Sequence, residues 1–274
     1  MLEIENMCVN GKDGEPLLKE ITLRLTKGQA VGVTGRSGAG KSTLLKAIMG
    51  NLDSQCRMSG GKVVLHLRED QPPLRYDTMS AKRRRSMAGT TVGFIPQNAM
   101  RAFDFRLRIG TQLEETFRVK LAMDKTTAER LAEAVLLKVG LTDARRVLRS
   151  FPEELSGGML QRVAIAMLLG LDPVYVLADE PTASLDRDNR AHVLRLLKER
   201  LDRSGILLVS HDAEAMRALC SFVIVLHDGE KVEQGTMAQL LHQPSHRWTR
   251  SFAERWRANH DPSWSLESLR KGDS

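Results

Sequence analysis

The sequence predicts an α/β fold whose core is a parallel sheet covered on both faces, and three stretches carry that prediction. "VYVLADE" and "GILLVSHD" are continuous apolar runs ending in polar residues, with the helix-spaced "DNRAHVLRLLKERLDR" between them. That alternation is the pattern of parallel strands buried on both sides. "EITLRLTKGQAVGVT", residues 20–34, stops at Gly35 and passes through a glycine loop into "KSTLLKAIMGNL", where Leu44, Leu45, Ile48 and Met49 have helical spacing. From about residue 100 to 170 the composition turns helical, so a helical insert separates the two halves of the sheet.

Taken in order, residues 20–34 hold alternating and then continuous apolar positions, read as two strands with the second one buried. The helix after the glycine loop is followed by a polar, proline-containing stretch, "REDQPPLRYDTMSAKRRR", and then by the short apolar segment "TVGFIPQ". In the insert, Thr126 with Glu129 forms a capping-box pattern, Ala128, Leu131, Val135 and Val139 share one face, and Gly140 is placed to end the helix. No internal repeat or low-complexity segment interrupts the chain.

Bulk properties bound the function. A chain of 274 residues buries a large core without staples. Cys8, Cys56 and Cys220 lie far apart with no C-x-x-C, so neither a zinc site nor a disulfide framework is expected, and a reducing cytosol fits. No eighteen uncharged apolar residues follow one another, so a membrane link is expected to run through a partner. The formal charge of +7 raises the question of nucleic acid, but positive charge is dispersed among carboxylates and aromatic residues are only 4% of the chain. A stacking platform for single strands is therefore not expected. The densest basic run, Lys82 to Arg85, reads as a solvated turn.

The chemistry begins at "GRSGAGKS". The pattern G-x-x-x-x-G-K-[ST] arises by chance in about one in a hundred chains of this length at average residue usage. Between a buried strand and a helix, the loop from Gly35 through Arg36, Ser37, Gly38, Ala39 and Gly40 turns its backbone N–H groups toward a phosphate at the helix N-terminus. Lys41 then neutralises the β/γ-phosphates, and the Ser42 hydroxyl, with Thr43 beside it, meets magnesium. Asp179 ends an apolar strand where a carboxylate can hold that magnesium through water, and Glu180 follows, placed to polarise an attacking water. Upstream, "ELSGGMLQR" opens an apolar helix with Ser156, Gly157 and Gly158, a second helix N-terminus suited to an anion. One chain thus carries two phosphate grips.

With these motifs in this order, the sequence resembles the ATP-binding cassette (ABC) ATPases over nearly its whole length. Residues 35–42 match the family's Walker A motif, Gln97 its Q-loop, Leu155 to Met159 its signature, Asp179 and Glu180 its Walker B pair, Ser184 to Asp186 its D-loop, and His211 its switch histidine. The resemblance implies a RecA-like P-loop NTPase core with an N-terminal antiparallel β subdomain, an inserted α-helical subdomain over about 98–170, a cassette spanning 1–234 and a C-terminal extension over 235–274. It implies ATP and Mg2+ as cofactors, with Ser42, Gln97 and Asp179 toward the metal and Glu180, His211 and Gln97 as the catalytic set. It also implies head-to-tail pairing with a second ATPase, identical or paralogous, so that Ser156 and Gly158 of one subunit, with Asp186 of the D-loop, complete the other's site.

The finer resemblance is to ATPases of bacterial peptide and nickel importers, through Met159 in "LSGGMLQR" and the tail "QPSHRWTRSF", where Arg247 and Trp248 replace that group's Pro-Tyr. The last cysteine is Cys220, so the tail lacks the cysteine cluster of several peptide-importing members, which favours the nickel or metal-chelate branch over peptides. Such a subunit works at the cytoplasmic face of the cell membrane with two permease subunits and, indirectly, an extracytoplasmic solute-binding protein. The alternative of an ABC ATPase outside transport would carry a coiled-coil insert or a second cassette. One departure stands out: "NMCVNGKDGEP" has no aromatic where many members stack one on adenine. Phe103 and Phe105, just after Gln97, are read equally as a permease anchor or as core of the insert.

Overall fold

In the computed structural model, which describes residues 1–68 and 70–260, two sheets share one body. The chain opens with β1 (Leu2–Asn10) and β2 (Pro16–Leu25), which pair antiparallel, and then enters β3 (Ala30–Gly35), every residue of which is buried. Helix α1 (Lys41–Met49) leaves the glycine loop and buries Leu44, Leu45, Ala47 and Ile48. β4 (Arg57–Leu65) and the short β5 (Leu74–Arg75) return to the first sheet, whose order is β2-β1-β4-β5 and whose pairings are all antiparallel. This is the antiparallel β subdomain expected at the N-terminus.

The basic run is not a turn. Residues 81–87 form helix α2 (Ala81–Met87), capped by Ser80, whose side chain accepts from the Arg83 N–H at 3.3 Å. Arg84 folds back onto the Met79 carbonyl and Lys120 reaches the Arg85 carbonyl, so part of the run is held by the fold. Lys82, Arg83 and Arg85 remain exposed.

β6 (Val92–Ile95) leads into a helical region: α3 (Ile109–Leu121), α4 (Lys125–Lys138), α5 (Ala144–Arg149) and α6 (Gly157–Leu171). The start of α4 corrects the sequence reading. Its N-cap is Asp124, whose carboxylate accepts from the Thr127 N–H at 3.0 Å and from the Thr127 hydroxyl at 2.6 Å. Thr126 is not the cap, and the Glu129 carboxylate lies 3.9 Å from the Lys125 ammonium. The other end agrees with expectation. Gly140 takes φ +78° while its N–H reaches the Leu137 carbonyl and that of Leu141 the Leu136 carbonyl, a Schellman ending. Ala128, Val135 and Val139 are buried on the shared face and Leu131 packs beside them.

The chain returns to the sheet through β7 (Tyr175–Asp179), α7 (Arg187–Arg200), β8 (Gly205–Val209), α8 (Ala213–Leu219), β9 (Phe222–His227) and β10 (Glu230–Gly235). The second sheet has the order β10-β9-β3-β8-β7-β6; β9 and β10 pair antiparallel and the rest are parallel. β7 and β8 are buried throughout, which is why they read as continuous apolar runs. Core packs on both faces: Val176, Ala178, Ile206 and Leu208 point into one cluster, Tyr175, Leu177, Leu207 and Val209 into the other.

Two further helices, α9 (Met237–His242) and α10 (Arg247–His260), close the described chain. Glu233 on β10 accepts from the N–H groups of Ser245 and His246 at 2.7 and 3.0 Å, which anchors the start of α10. Trp248, at the position of the expected tyrosine, stacks on Phe252 at 5.4 Å, and Phe252 and Ala253 are buried. The rest of the expected extension, residues 261–274, lies outside the described residues.

Candidate active site

The carboxyl ends of β3, β7 and β8 meet at one edge of the second sheet, the position at which open α/β sheets bind ligands. There a cavity of about 370 Å3 is lined by Gly35, Ser37, Gly38, Gly40, Lys41, Ser42, Thr43, Gln97, Asp179, Glu180, Val209 and His211. Residues from four separate stretches of sequence thus converge on one space. Arg36 and Ala39 belong to the same loop but do not line it: Ala39 is buried against the core, and Arg36 contributes its carbonyl.

The loop needs its glycines. Gly35 has φ +150°, and a Cβ there would sit 2.1 Å from the Leu226 carbonyl oxygen. Gly40, the N-cap of α1, has φ +95°, and a Cβ would meet Leu18 Cδ2 at 2.6 Å and the Leu17 carbonyl at 2.9 Å. Lys41 Nζ donates to the carbonyls of Gly35 and Arg36 at 2.8 and 2.9 Å, so the ammonium is cradled by its own loop. Burial holds its pKa below the ordinary lysine value, although Glu180 and Asp179 nearby oppose the shift. Desolvation of a cation beside a cavity is relieved by an anionic phosphate.

Asp179 is 8% exposed and burial pushes its carboxyl above the usual range, against a hydrogen bond from the Ser42 hydroxyl. Ser42, Asp179 and the Gln97 amide together offer hard oxygen donors, a set that fits Mg2+ carried in with a phosphate. Among the described residues no group of three or more His, Cys, Asp or Glu side chains forms a cage for a metal by itself. The fit is therefore to an ion shared with phosphate oxygens.

Glu180 adopts φ +46°, the left-handed region, a conformation that costs a non-glycine residue about 1–3 kcal/mol and persists only where surroundings impose it. Its N–H donates to the Val209 carbonyl at 2.9 Å, its Oε1 lies 2.7 Å from His211 Nδ1, and its Oε2 accepts from the Ser210 hydroxyl at 3.1 Å. The carboxylate is thereby aimed from the end of β7 at the loop after β8. The His211 side chain, 75% exposed, stands toward solvent.

The helix terminus expected to form a second grip lies elsewhere. Ser156 caps α6, accepting from the Met159 N–H at 3.2 Å, with Gly157 and Gly158 as the first helical residues. None of the three lines the phosphate-loop cavity. Gly157 instead borders a wider cleft of about 880 Å3 that it shares with Ser42, Gln97, Asp179 and Ser184. Asp186 is also outside the phosphate cavity; its carboxylate caps α7 by accepting from the Asn189 N–H at 2.9 Å. Opposite the loop, residues 10–17 carry no aromatic, as the sequence indicates.

Two residues of the site escaped the sequence reading. Ser210 is one, and its only signal is a hydroxyl at the polar end of an apolar strand. The other is Gln161, 1% exposed, whose Nε2 donates to the Pro96 carbonyl at 3.0 Å and so ties α6 to the segment bearing Gln97. A glutamine on the apolar side of α6 is the signal there, since a buried amide requires a partner.

A glycine loop cradling a lysine at a helix N-terminus, with an acid pair at the end of the neighbouring strand, defines a nucleoside-triphosphate-binding P-loop protein. The family model described as ABC transporter matches residues 18–183. The metal-staphylopine import system ATP-binding protein CntD of Staphylococcus aureus is 34% identical over 244 residues, covering 86% of this chain and 85% of that protein. The oligopeptide transport ATP-binding protein OppD of Lactococcus lactis is 34% identical over 235 residues, covering 85% of this chain and 68% of that protein. Among solved structures, the dimeric cassette MJ0796, in a post-hydrolysis state with ADP and Pi, superposes with a TM-score of 0.76 at 28% identity over 86% of this chain and 99% of its own. The chain belongs to the ABC transporter family, and it is an ATPase subunit of that family.

Proposed function

We propose that this ATPase binds ATP·Mg2+ in the cavity of about 370 Å3 and hydrolyses it at a head-to-tail interface with a second cassette, powering uptake of a solute through two separate permease subunits. The observation that carries this reading is the convergence of Lys41, Ser42, Gln97, Asp179, Glu180 and His211 on one cavity. In the proposed reaction the amides of residues 37–43 and the Lys41 ammonium hold the phosphates, the ammonium exchanging two loop carbonyls for phosphate oxygens. Ser42, Asp179 and Gln97 hold the metal, which when bound neutralises charge on the β- and γ-phosphates. Glu180 orients the attacking water and takes up its proton, while His211, hydrogen-bonded to Glu180, turns toward the γ-phosphate. Ser156, Gly157 and Gly158 meet the γ-phosphate of the opposite subunit.

The proposed division of the chain is a cassette over 1–234, with the helical subdomain inserted at about 98–170, and a C-terminal extension over 235–274. No helix among the described residues is long and apolar enough to cross a membrane, so the proposed place of work, the cytoplasmic face of the cell membrane, is reached through the permeases. For the solute we favour a metal chelate. CntD is named for a metal-staphylopine system, and the tail has no cysteine after Cys220. The likeness to OppD supports a second reading, a small peptide.

Glu180→Gln tests the chemistry. It is expected to keep ATP binding, to slow turnover by about a hundredfold or more, and to trap an ATP-bound dimer; turnover at the wild-type rate would remove Glu180 from its role. Uptake by the reconstituted complex of a radiolabelled nickel chelate, competed with unlabelled di- and oligopeptides, separates the two solutes.

A further inference from the structure

Glu180 has two side-chain partners of different character. His211 is largely exposed and is the partner that must leave if it is to meet the γ-phosphate. Ser210 is 1% exposed and fixed on every side. Its N–H donates to the Val33 carbonyl at 3.2 Å, on the strand that feeds the phosphate loop. Its hydroxyl oxygen accepts from the Asp212 N–H at 3.0 Å, where Asp212 caps α8. A serine hydroxyl has one hydrogen to give. With Asp212 N–H on the oxygen, that hydrogen goes to Glu180 Oε2, 3.1 Å away.

We propose that Ser210 is a positioning residue for hydrolysis: its buried hydroxyl holds the Glu180 carboxylate in line with the phosphate-loop cavity after His211 has turned away. This rests on Glu180 acting on the attacking water. The Glu180 carboxylate has one side-chain partner on each oxygen, His211 on Oε1 and Ser210 on Oε2, and an exposed imidazole cannot fix it during a reaction in which that imidazole moves. The donor that remains is the one at the residue that follows β8. A hydrogen bond to a charged group, made from a site that needs no reorganisation, is the kind of interaction whose loss appears in kcat.

The experiment is steady-state ATP hydrolysis by the complex copurified from membranes, with ATP binding and thermal melting of the isolated subunit measured alongside. Ser210→Ala is expected to lower kcat about tenfold, the loss typical of one hydrogen bond to a charged group, with KM for ATP within about twofold. Ser210→Thr, which keeps the hydroxyl, should recover kcat, and Ser210→Cys, a poor donor of similar size, should fall between Ala and wild type. Because the residue acts through Glu180, adding Ser210→Ala to Glu180→Gln should cost no further activity. Equal kcat for the Ala, Cys and wild-type subunits, or a full additive loss in the double variant, overturns the proposal. So does a lowered melting temperature with unchanged kcat per folded subunit. If instead Glu180→Gln itself turns over normally, the role of Glu180 fails and this inference falls with it, a result distinct from a silent Ser210→Ala beside a dead Glu180→Gln.

Discussion

Phe103 and Phe105 stand two residues apart and should respond to truncation in opposite ways. Phe103 is 6% exposed and belongs to the core that joins the helical insert to the sheet, whereas Phe105 is 42% exposed. The turn between them is held by Gln112 of α3, which accepts from the Asp104 N–H at 2.9 Å and donates to the carbonyls of Asp104 and Leu107 at 3.0 and 2.9 Å. Phe105 is therefore presented outward by an ordered turn. Phe103→Ala removes a buried ring and should cost about 3–5 kcal/mol, which at about 2–4 °C per kcal/mol lowers Tm by about 6–20 °C. Phe105→Ala should stay within about 0.5 kcal/mol, or about 2 °C. Phe94, Met100, Phe105 and Leu107 are four of the six large apolar side chains that are exposed among the described residues, so they offer an anchor for a permease helix. Phe105→Ala should accordingly give a folded, ATP-binding subunit that copurifies poorly with its membrane partners. Melting curves of the isolated subunit and copurification in mild detergent check both halves. A Phe103→Ala subunit that melts like wild type refutes the burial argument; a Phe105→Ala subunit that assembles and transports normally refutes the docking argument.

Lys41→Ala should weaken nucleotide binding by the isolated subunit, whereas Ser156→Arg, on a helix terminus outside the phosphate cavity, should leave that binding intact and abolish turnover of the assembled pair; equal loss of binding in both contradicts two separate grips. Arg106, through its side-chain hydrogen bond and then its backbone N–H, holds the Asp104 carboxyl down at about 2. The folded pKa is the lower one, so what this contact contributes to stability is present above the unfolded value of about 3.9 and fades as pH falls toward 2. Carboxyl NMR should find Asp104 near 2 in the wild type and higher in Arg106→Ala; an unchanged value removes the cause assigned.

What could be read in the sequence was what short spacing determines. The phosphate loop, the acid pair and the buried strands are each set by residues within a few positions of one another, and β3, α1, β7 and β8 fall where the apolar runs place them. Competition between equally good local signals was harder. At the start of α4 both Asp124 and Thr126 are competent caps, and Asp124 wins because its two oxygens serve the N–H and the hydroxyl of Thr127 together. The basic run looked like a turn because it is dense in charge and follows a polar, proline-containing stretch; it is helical because Ser80 caps it and because Met79 and Lys120 supply partners from outside the run. The hold of Ser210 on Glu180 spans 30 residues and exists only because β7 and β8 pair with Asp179 opposite Val209, a register no local pattern specifies.

The same distinction bears on why, in the proposed function, one chain would carry two phosphate grips yet hold half of a reaction centre. A helix terminus favours an anion by about 0.3–1 kcal/mol at an exposed position, and that effect fades within a turn. The amides at the start of α6 can therefore act only on a phosphate brought against them. Ser156 and Gly157 are exposed and Gly157 borders the wide cleft, but neither lines the phosphate-loop cavity that Lys41, Ser42 and Glu180 surround. Closing that gap within one chain would mean moving α6, but Gln161 ties this helix to Pro96, and its Leu160, Val163, Ile165 and Ala166 are buried in the core shared with the sheet. The helix is committed where it is. Under the proposed arrangement a second cassette supplies the missing contact, and the γ-phosphate, gripped by Lys41 from one side and by another chain's Ser156 from the other, becomes the ligand that closes the pair. Hydrolysis would then remove the group that bridges the two subunits, making the chemistry at Glu180 and the opening of the interface one event, and the exposed Phe94, Met100, Phe105 and Leu107 near Gln97 would be placed to pass it on to a membrane partner.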